Sequence, residues 1–584
     1  LSIPVHSGPL TLAYPKWIPG EHVGDGPITQ LVELRIRAGG ATLSWRRDPL
    51  DPFLFHLEVP AGASTLDVNF DYLSPTKPFA GDGYGETPNV TPHFVLLPFN
   101  HFVLYPADAA SDALRIRAQV RLPEGWQHDS ALHPQRVEGD ELYMPEVSLT
   151  TLIDSPLFAG EYFRSIPVSE APNATRVSIV ANAPGELAMS DTTIGSMRHL
   201  VAEAAALFGP GHYREYVWLI ALGDTLSADG LEHHESTDIR DNESLFTDPA
   251  RMLEHRTIPH EYVHTWNGKY RRPAGLATRN YQQPMVDDLL WVYEGATRYL
   301  GDVVLRTRAG FVTQEQARSY VAWLASRMEV VRPGRAWRSL GDTATALPGY
   351  FEQPPEWAPI RRERDYYDEM ALVWLDADTL IRERSGGRRS FDEFCKSFYA
   401  GPERVPALHP YTRADLVAAL KAVAPIDWEG FLKARVDAVE PHVPMGGVER
   451  GGWKLVYDDA PNDFLSAREK VDGADNFSLS LGIFARSDGD VADVVHGSPV
   501  FAAGLAPGMK LIGIGGRKWS AVAAREVLVQ AEHTTAPIEL VVESADLVRV
   551  LHVDYHGGLR NPHLARDESK PDLLTQILSP RAAR

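Results

Sequence analysis

The spacing of apolar residues changes twice along the chain, and this limits what each part can fold into. Up to about residue 165 apolar positions alternate with polar ones, as in Leu31-Val32-Glu33-Leu34-Arg35-Ile36 and Leu114-Arg115-Ile116-Arg117-Ala118-Gln119-Val120. A period of two marks half-buried strands. Turn clusters such as Ile18-Pro19-Gly20 and Phe79-Ala80-Gly81-Asp82-Gly83 separate the runs, which predicts a sandwich or a large curved sheet. Strands are also predicted at Val177-Ser178-Ile179-Val180 and Tyr216-Val217-Trp218-Leu219-Ile220, with a helix near 194–208 between them. From about Pro249 to Lys433 the period is helical, and the run at 371–384 is closed by the stop signal Gly386-Gly387. After Gly446-Gly447 short strands and glycine turns return, most clearly at 478–516. A chain of 584 residues needs several cores at roughly 100–200 residues per domain. The expected architecture is multidomain α+β: a β-rich domain at 1–170, a mainly helical domain at 171–445, and a small β-rich module with a tail at 446–584.

Composition narrows the function classes. With 57 basic and 78 acidic residues the net charge is −21, a poor match to a nucleic-acid binder, which needs a basic face. The one cysteine, Cys395, excludes an internal disulfide and a cysteine-based zinc site, and its place on a helical face predicts a buried structural role. No apolar run approaches the roughly 18 residues of a membrane span. No basic-then-apolar leader follows Leu1, and the compartment stays open between periplasmic or secreted and cytoplasmic.

The sharpest motif is His260-Glu261-Tyr262-Val263-His264. Residues four apart share a helix face, so the two imidazoles can converge on one ion while Glu261 reaches a metal-bound water. Zinc lowers the pKa of such a water and polarises a carbonyl, and the carboxylate carries the proton to the leaving amine. Twenty-one histidines make a chance match conceivable, so the motif needs a third ligand. Glu294, with 29 residues between it and His264, lies in a helical run. Asp287 and Asp288 compete, but Pro284 before them suggests a loop or first turn.

Three stretches together resemble the glycyl aminopeptidase family of PDZ-containing gluzincin zinc peptidases: HEYVHTWNGKYRRP at 260–273, WVYEGATRYLGDVVLRTRAG at 291–310 and YYDEMALVWLDADTLIRERSGGRRSFDEF at 366–394. The likeness runs from the N-terminal WIPGE segment to the tail after residue 556. The resemblance implies an N-terminal β-domain, a thermolysin-like catalytic domain and a C-terminal PDZ domain. It implies one Zn2+ ion on His260, His264 and Glu294, Glu261 as general base, and Tyr367 as donor to the oxyanion, with Tyr366 its rival. Where relatives carry Lys-Gly, this chain has Glu369-Met370, so the packing around the tyrosine can differ. Asp229-Gly230-Leu231-Glu232-His233 resembles the family's Gly-Gly-Leu-Glu-His stretch, with Asp229 in place of the first glycine. By that resemblance Gly230 and Leu231 lie on an edge strand that pairs with substrate backbone, and Glu232 binds the substrate's amine. Leu481-Gly482-Ile483-Phe484 resembles a PDZ carboxylate loop, which implies a peptide C-terminus as a second partner. The activity implied is aminopeptidase action on peptides with a free N-terminus and a small first residue, Gly or Ala. An endopeptidase on the same centre, and a peptide-binding scaffold with a vestigial metal site, are the alternatives.

Overall fold

The computed structural model describes residues 1–76, 89–170, 173–351 and 354–582; the turn cluster at 79–83 lies outside them. The alternating runs near the N-terminus form two four-stranded antiparallel sheets. One orders Ser2–Pro4, Thr65–Tyr72, Leu31–Ala38 and Ala41–Leu43, and the other Trp45–Arg47, Leu54–Val59, Gly8–Ala13 and Tyr105–Pro106. Inward residues of both, among them Leu12, Ile36, Phe55 and Val68, form one apolar cluster, as a period of two requires of a sandwich. The run at 114–120 does not stay one strand. Arg115–Ile116 pairs with Val147–Ser148, whereas Gln119–Arg121 pairs with Glu141–Tyr143. At the step between them the Ala118 carbonyl accepts from the Met144 N–H at 3.0 Å.

A five-stranded sheet carries the central part of the molecule. Its strands are β1 (Tyr162–Ser169), β2 (Ala174–Ala181), β3 (Glu215–Leu222), β4 (Asp229–Glu232) and β5 (Ser236–Asp241), in the order β1-β2-β3-β5-β4. The inner three run parallel, and β1 and β4 are antiparallel edges. β1, which begins at Tyr162, thus belongs to this sheet and pairs with β2. β3 is almost wholly apolar because both its faces are covered.

Helix α1 (Asp191–Phe208) and helices α2 (Thr257–His264), α3 (Leu290–Thr297) and α4 (Asp365–Ser385) share one large core with this sheet. Pro259 is tolerated in the first turn of α2, where its missing N–H has no partner to lose. α3 runs on through a π-helical stretch, Arg298–Leu305, to Arg306–Arg308. α4 ends on Gly386 at φ +61°, a conformation that favours glycine, as the stop signal predicts. Glu369, one of the residues that departs from the family pattern, is buried in a cluster with Arg335 (2.6 Å) and Arg362.

The C-terminal module has its own core, including Leu481, Ile483, Leu511, Leu528 and Leu540. Its flanks belong elsewhere. Trp453–Asp458 pairs with Asn561–Arg566, and Leu574, Ile577 and Leu578 are fully buried in the central core. Residues 446–584 are therefore not one unit.

The segment at Leu481–Phe484, which resembles a carboxylate loop, makes its contacts within the chain. Ala474–Phe477 pairs along Ile483–Arg486, on the edge opposite Val491–Val494. The N–H groups of Leu481 and Gly482 both donate to the Phe477 carbonyl, at 2.9 and 3.0 Å. The Phe477 ring packs in the module core near Trp519. The strand edge and the donors that a peptide C-terminus would use are already filled by the chain itself.

Candidate active site

The site lies where α2, the α3 helix and the edge strand β4 meet. Two glycines bring the α3 helix flush against both neighbours. A Cβ on Gly295 would lie 2.3 Å from Met370 Cβ on α4, and one on Gly301 would lie 2.8 Å from His260 Cα on α2. A third glycine does the same for β4: a Cβ on Gly230 would meet Thr257 Cγ2 at 2.4 Å and Glu261 Oε1 at 2.6 Å. Close approach, and not turn formation, explains these glycines.

This packing brings His260, His264 and Glu294 together. Glu294 Oε2 lies 3.2 Å from His260 Nε2 and 3.4 Å from His264 Nε2. The other imidazole nitrogens face acceptors. His260 Nδ1 is 3.1 Å from Asp302 Oδ1, and His264 Nδ1 is 2.8 Å from the Asn267 carbonyl. An acceptor at Nδ1 fixes that nitrogen as the donor and leaves Nε2 on both rings to face the centre. Arg298 in turn holds Asp302 at 2.7 Å. Burial alone would push His260 down, but Asp302 and Glu294 raise it to about 10. Burial would raise Glu294, yet His264, His22 and His260 hold it well below the usual carboxylate range.

A second group overlaps the first. Glu232, Glu261 and His264 also bring one atom each within 4.8 Å of one another. Burial pushes Glu261 up to about 8 against the pull of His260 and His264. Its Oε2 is buried without a partner. Burial would likewise raise Glu232, but Lys269 and His264 lower it, and Tyr293 donates its hydroxyl to it. Leu231 is buried beside Glu232, and the outer edge of β4 pairs with no strand among the described residues.

Of the two rival tyrosines, Tyr366 is fully buried in the core. The ring of Tyr367 is partly exposed and stacks against His260 at 6.2 Å between centroids, while both tyrosines line a cleft of about 110 Å3 with His22, Asp229 and Gly230. Burial and Glu294 keep the Tyr367 phenol well above its ordinary pKa, hence protonated. Asp287 does not join the ligand group; burial raises it to about 6. His233 and His234 face Asp154 instead, at 3.4 and 2.8 Å, with Lys269 on the same carboxylate.

The two imidazoles and one carboxylate, buried with Nε2 and Oε2 converging, are a donor set that fits a divalent ion such as zinc. The peptidase M61 glycyl aminopeptidase model matches residues 254–373, which hold all of these helices' contributions, and the M61 N-terminal domain model matches residues 1–161. The chain belongs to the M61 glycyl aminopeptidase family. It is a metallopeptidase of the aminopeptidase type. An aminopeptidase N family protein from Idiomarina loihiensis has the same fold, with a TM-score of 0.77 at 16% identity over 99% of this chain and 97% of that one. An M1 zinc metallopeptidase from Deinococcus radiodurans, solved with a Tyr-Ser-Ala substrate, aligns at 14% identity and a TM-score of 0.45 over 76% of this chain and 91% of its own. Aminopeptidase A of Legionella pneumophila, in complex with aspartic acid, aligns at 13% identity and a TM-score of 0.45 over 74% of this chain and 46% of its own. No curated protein matches the sequence of this metallopeptidase.

Sequence reasoning missed several residues of the site. His22, Tyr293, Asn267 and Asp302 each touch a predicted functional group, and the charge of Lys269 acts on Glu232. Only the WIPGE resemblance pointed toward His22, which follows it directly. Asp302 lies eight positions beyond Glu294, and the π-helical turn that aims it has no periodic signature.

Proposed function

We propose that this metallopeptidase removes a small N-terminal residue, Gly or Ala, from peptides on one zinc ion held by His260, His264 and Glu294. The observation that carries this reading is the overlap of two groups through His264, which sets Glu232 and Glu261 beside the ligand donors. The ion would supply Lewis acidity, polarising the scissile carbonyl and lowering the pKa of a water. Glu261, with a free oxygen, takes the proton of the attacking water and returns it to the leaving amine. Tyr367 donates its phenol hydrogen to the oxygen of the former carbonyl as charge develops there. The open edge of β4 at Gly230 and Leu231 pairs with the extended substrate, and Glu232 receives its α-ammonium. Room beside Glu232 is scarce: a Cβ on Gly20 would already lie 2.7 Å from its carboxylate. That crowding supports a preference for a small first residue.

The C-terminal module we take as PDZ-like and as a packing unit, given its filled edge. Its expected outcome in a titration with free-carboxylate peptides is no binding to Leu481–Phe484.

The decisive experiment compares one peptide with a free and with an acetylated N-terminus. The free peptide should be cleaved and the blocked one left nearly untouched. Equal cleavage would replace this reading with the endopeptidase alternative. Glu261→Gln should lower turnover by about 10²–10⁴-fold, the usual worth of general acid–base help. If Glu261→Gln turns peptides over at the unaltered rate, the mechanism proposed here is wrong; an unaltered chain that binds no metal and cleaves neither peptide would leave the scaffold alternative.

A further inference from the structure

One polar contact at the site comes from outside the central domain. His22, in the N-terminal β-domain, places its Nε2 2.7 Å from Glu294 Oε1. These residues are 272 positions apart, and both are buried. His22 sits at φ +62°, a left-handed conformation that is unfavourable for a non-glycine residue. Several contacts fix it there. The N–H groups of Lys16 and Trp17 donate to the Tyr281 carbonyl at 3.1 and 2.9 Å. Gly20, at φ +109°, lets the loop lie against Leu231 and Glu232 where a side chain would collide. Val23 enters the central core. The His22 ring meets Tyr293 edge-on at 5.0 Å.

The consequence lies in what Glu294 can offer. Its Oε1 is taken by His22, and its Oε2 alone faces both ligand imidazoles. A carboxylate held by one oxygen presents the other in a fixed direction, the role outer partners play for metal ligands. We propose that His22 is a positioning residue for Glu294, so that the N-terminal β-domain completes the metal site of the central domain. His22 acts through Glu294 and touches no reacting atom. The inference rests on the reading of His260, His264 and Glu294 as zinc ligands.

The test uses two variants of the full chain. His22→Gln keeps an amide donor near the position of Nε2, whereas the amide of His22→Asn is too short to reach Oε1. Asn is also among the side chains most tolerant of left-handed backbone, so this variant keeps the loop conformation. Zinc affinity is measured by competition with a chelator, and the visible spectrum of the cobalt-loaded protein reports ligand geometry. His22→Asn should bind zinc about 10–100-fold more weakly, the usual loss for an outer partner, with an altered cobalt spectrum. His22→Gln should recover most of the affinity. Unchanged affinity in His22→Asn overturns the proposal, and so do equal losses in both variants with native thermal unfolding. Failure of both to fold would make His22 a structural residue and also overturn it. If the unaltered chain binds no zinc, the ligand reading itself fails, which is a different result.

Discussion

Two residues at the centre hold protons that a metal ion would have to contend with. Without metal, His260 is raised to about 10, with Asp302 and Glu294 outweighing burial, and Glu261 is raised to about 8 by burial first. Both folded values lie above the ordinary ones of roughly 6.5 and 4.3. Stability from such groups is full below the unfolded pKa and is lost as pH rises through the folded one. The chelator-treated chain should therefore unfold at a lower temperature at pH 9 than at pH 6. Zinc loading at pH 7 should displace the His260 proton. Calorimetry in two buffers of different ionisation enthalpy would detect it, and identical heats in both would contradict this account. Tyr367→Phe should lower kcat by about 10²–10³-fold with little change in KM, because its donor is needed as charge develops. Tyr366→Phe, at a core position, should leave the ratio of the two unchanged.

At the scale of elements, the site depends on how closely helices approach. Gly301 faces backbone of α2, which cannot swing aside as a long side chain can. Gly301→Ala should therefore cost about 1–3 kcal/mol by overpacking, despite the better helix propensity of alanine, and should also weaken zinc binding by moving His260. Gly195 lies inside α1 with nothing within 4 Å of an added Cβ, so Gly195→Ala should stabilise by up to about 1 kcal/mol. Thermal unfolding of the pair gives the comparison; a neutral Gly301→Ala would refute the close-approach argument. The same contrast explains what could be read from sequence. The helix face that pairs His260 with His264, and the helical run that carries Glu294, are local periodicities. The edge position of β4, suggested by family likeness, holds as well. His22 reaches Glu294 across 272 residues through a loop with no regular pattern, so its contact left no trace in spacing. The filled groove of the C-terminal module was hidden for another reason. Ala474–Phe477 looks like any short strand, and nothing in an alternating pattern says which edge it will cover.

At the scale of the whole molecule, the chain crosses its own domains more than an ordered series of modules would. The N-terminal domain sends residues 16–23 into the centre, and the C-terminal tail returns there after the β-rich module is complete. The tail is anchored by polar contacts too. Arg308 Nε donates to the Ile577 carbonyl at 2.8 Å, and the Glu203 carboxylate accepts the N–H groups of Arg581 and Ala582 at 2.9 Å. The module core at 477–555 is thus an insertion between two segments of the central fold. This arrangement makes a prediction that a simple three-module chain would not. Ile577 is fully buried in the central core, and Leu540 is fully buried in the module core. Each change to alanine should cost about 2–5 kcal/mol. Ile577→Ala should lower the temperature at which peptidase activity is lost, although it lies beyond the module in sequence. Leu540→Ala should chiefly loosen the module, seen as faster amide exchange in 477–555 with activity lost near the unaltered temperature. If Ile577→Ala leaves the thermal loss of activity unmoved, the tail does not serve the central core. Activity that failed equally early in both variants would instead make the module and the centre one cooperative unit, with Phe477 and its strand helping to hold them together.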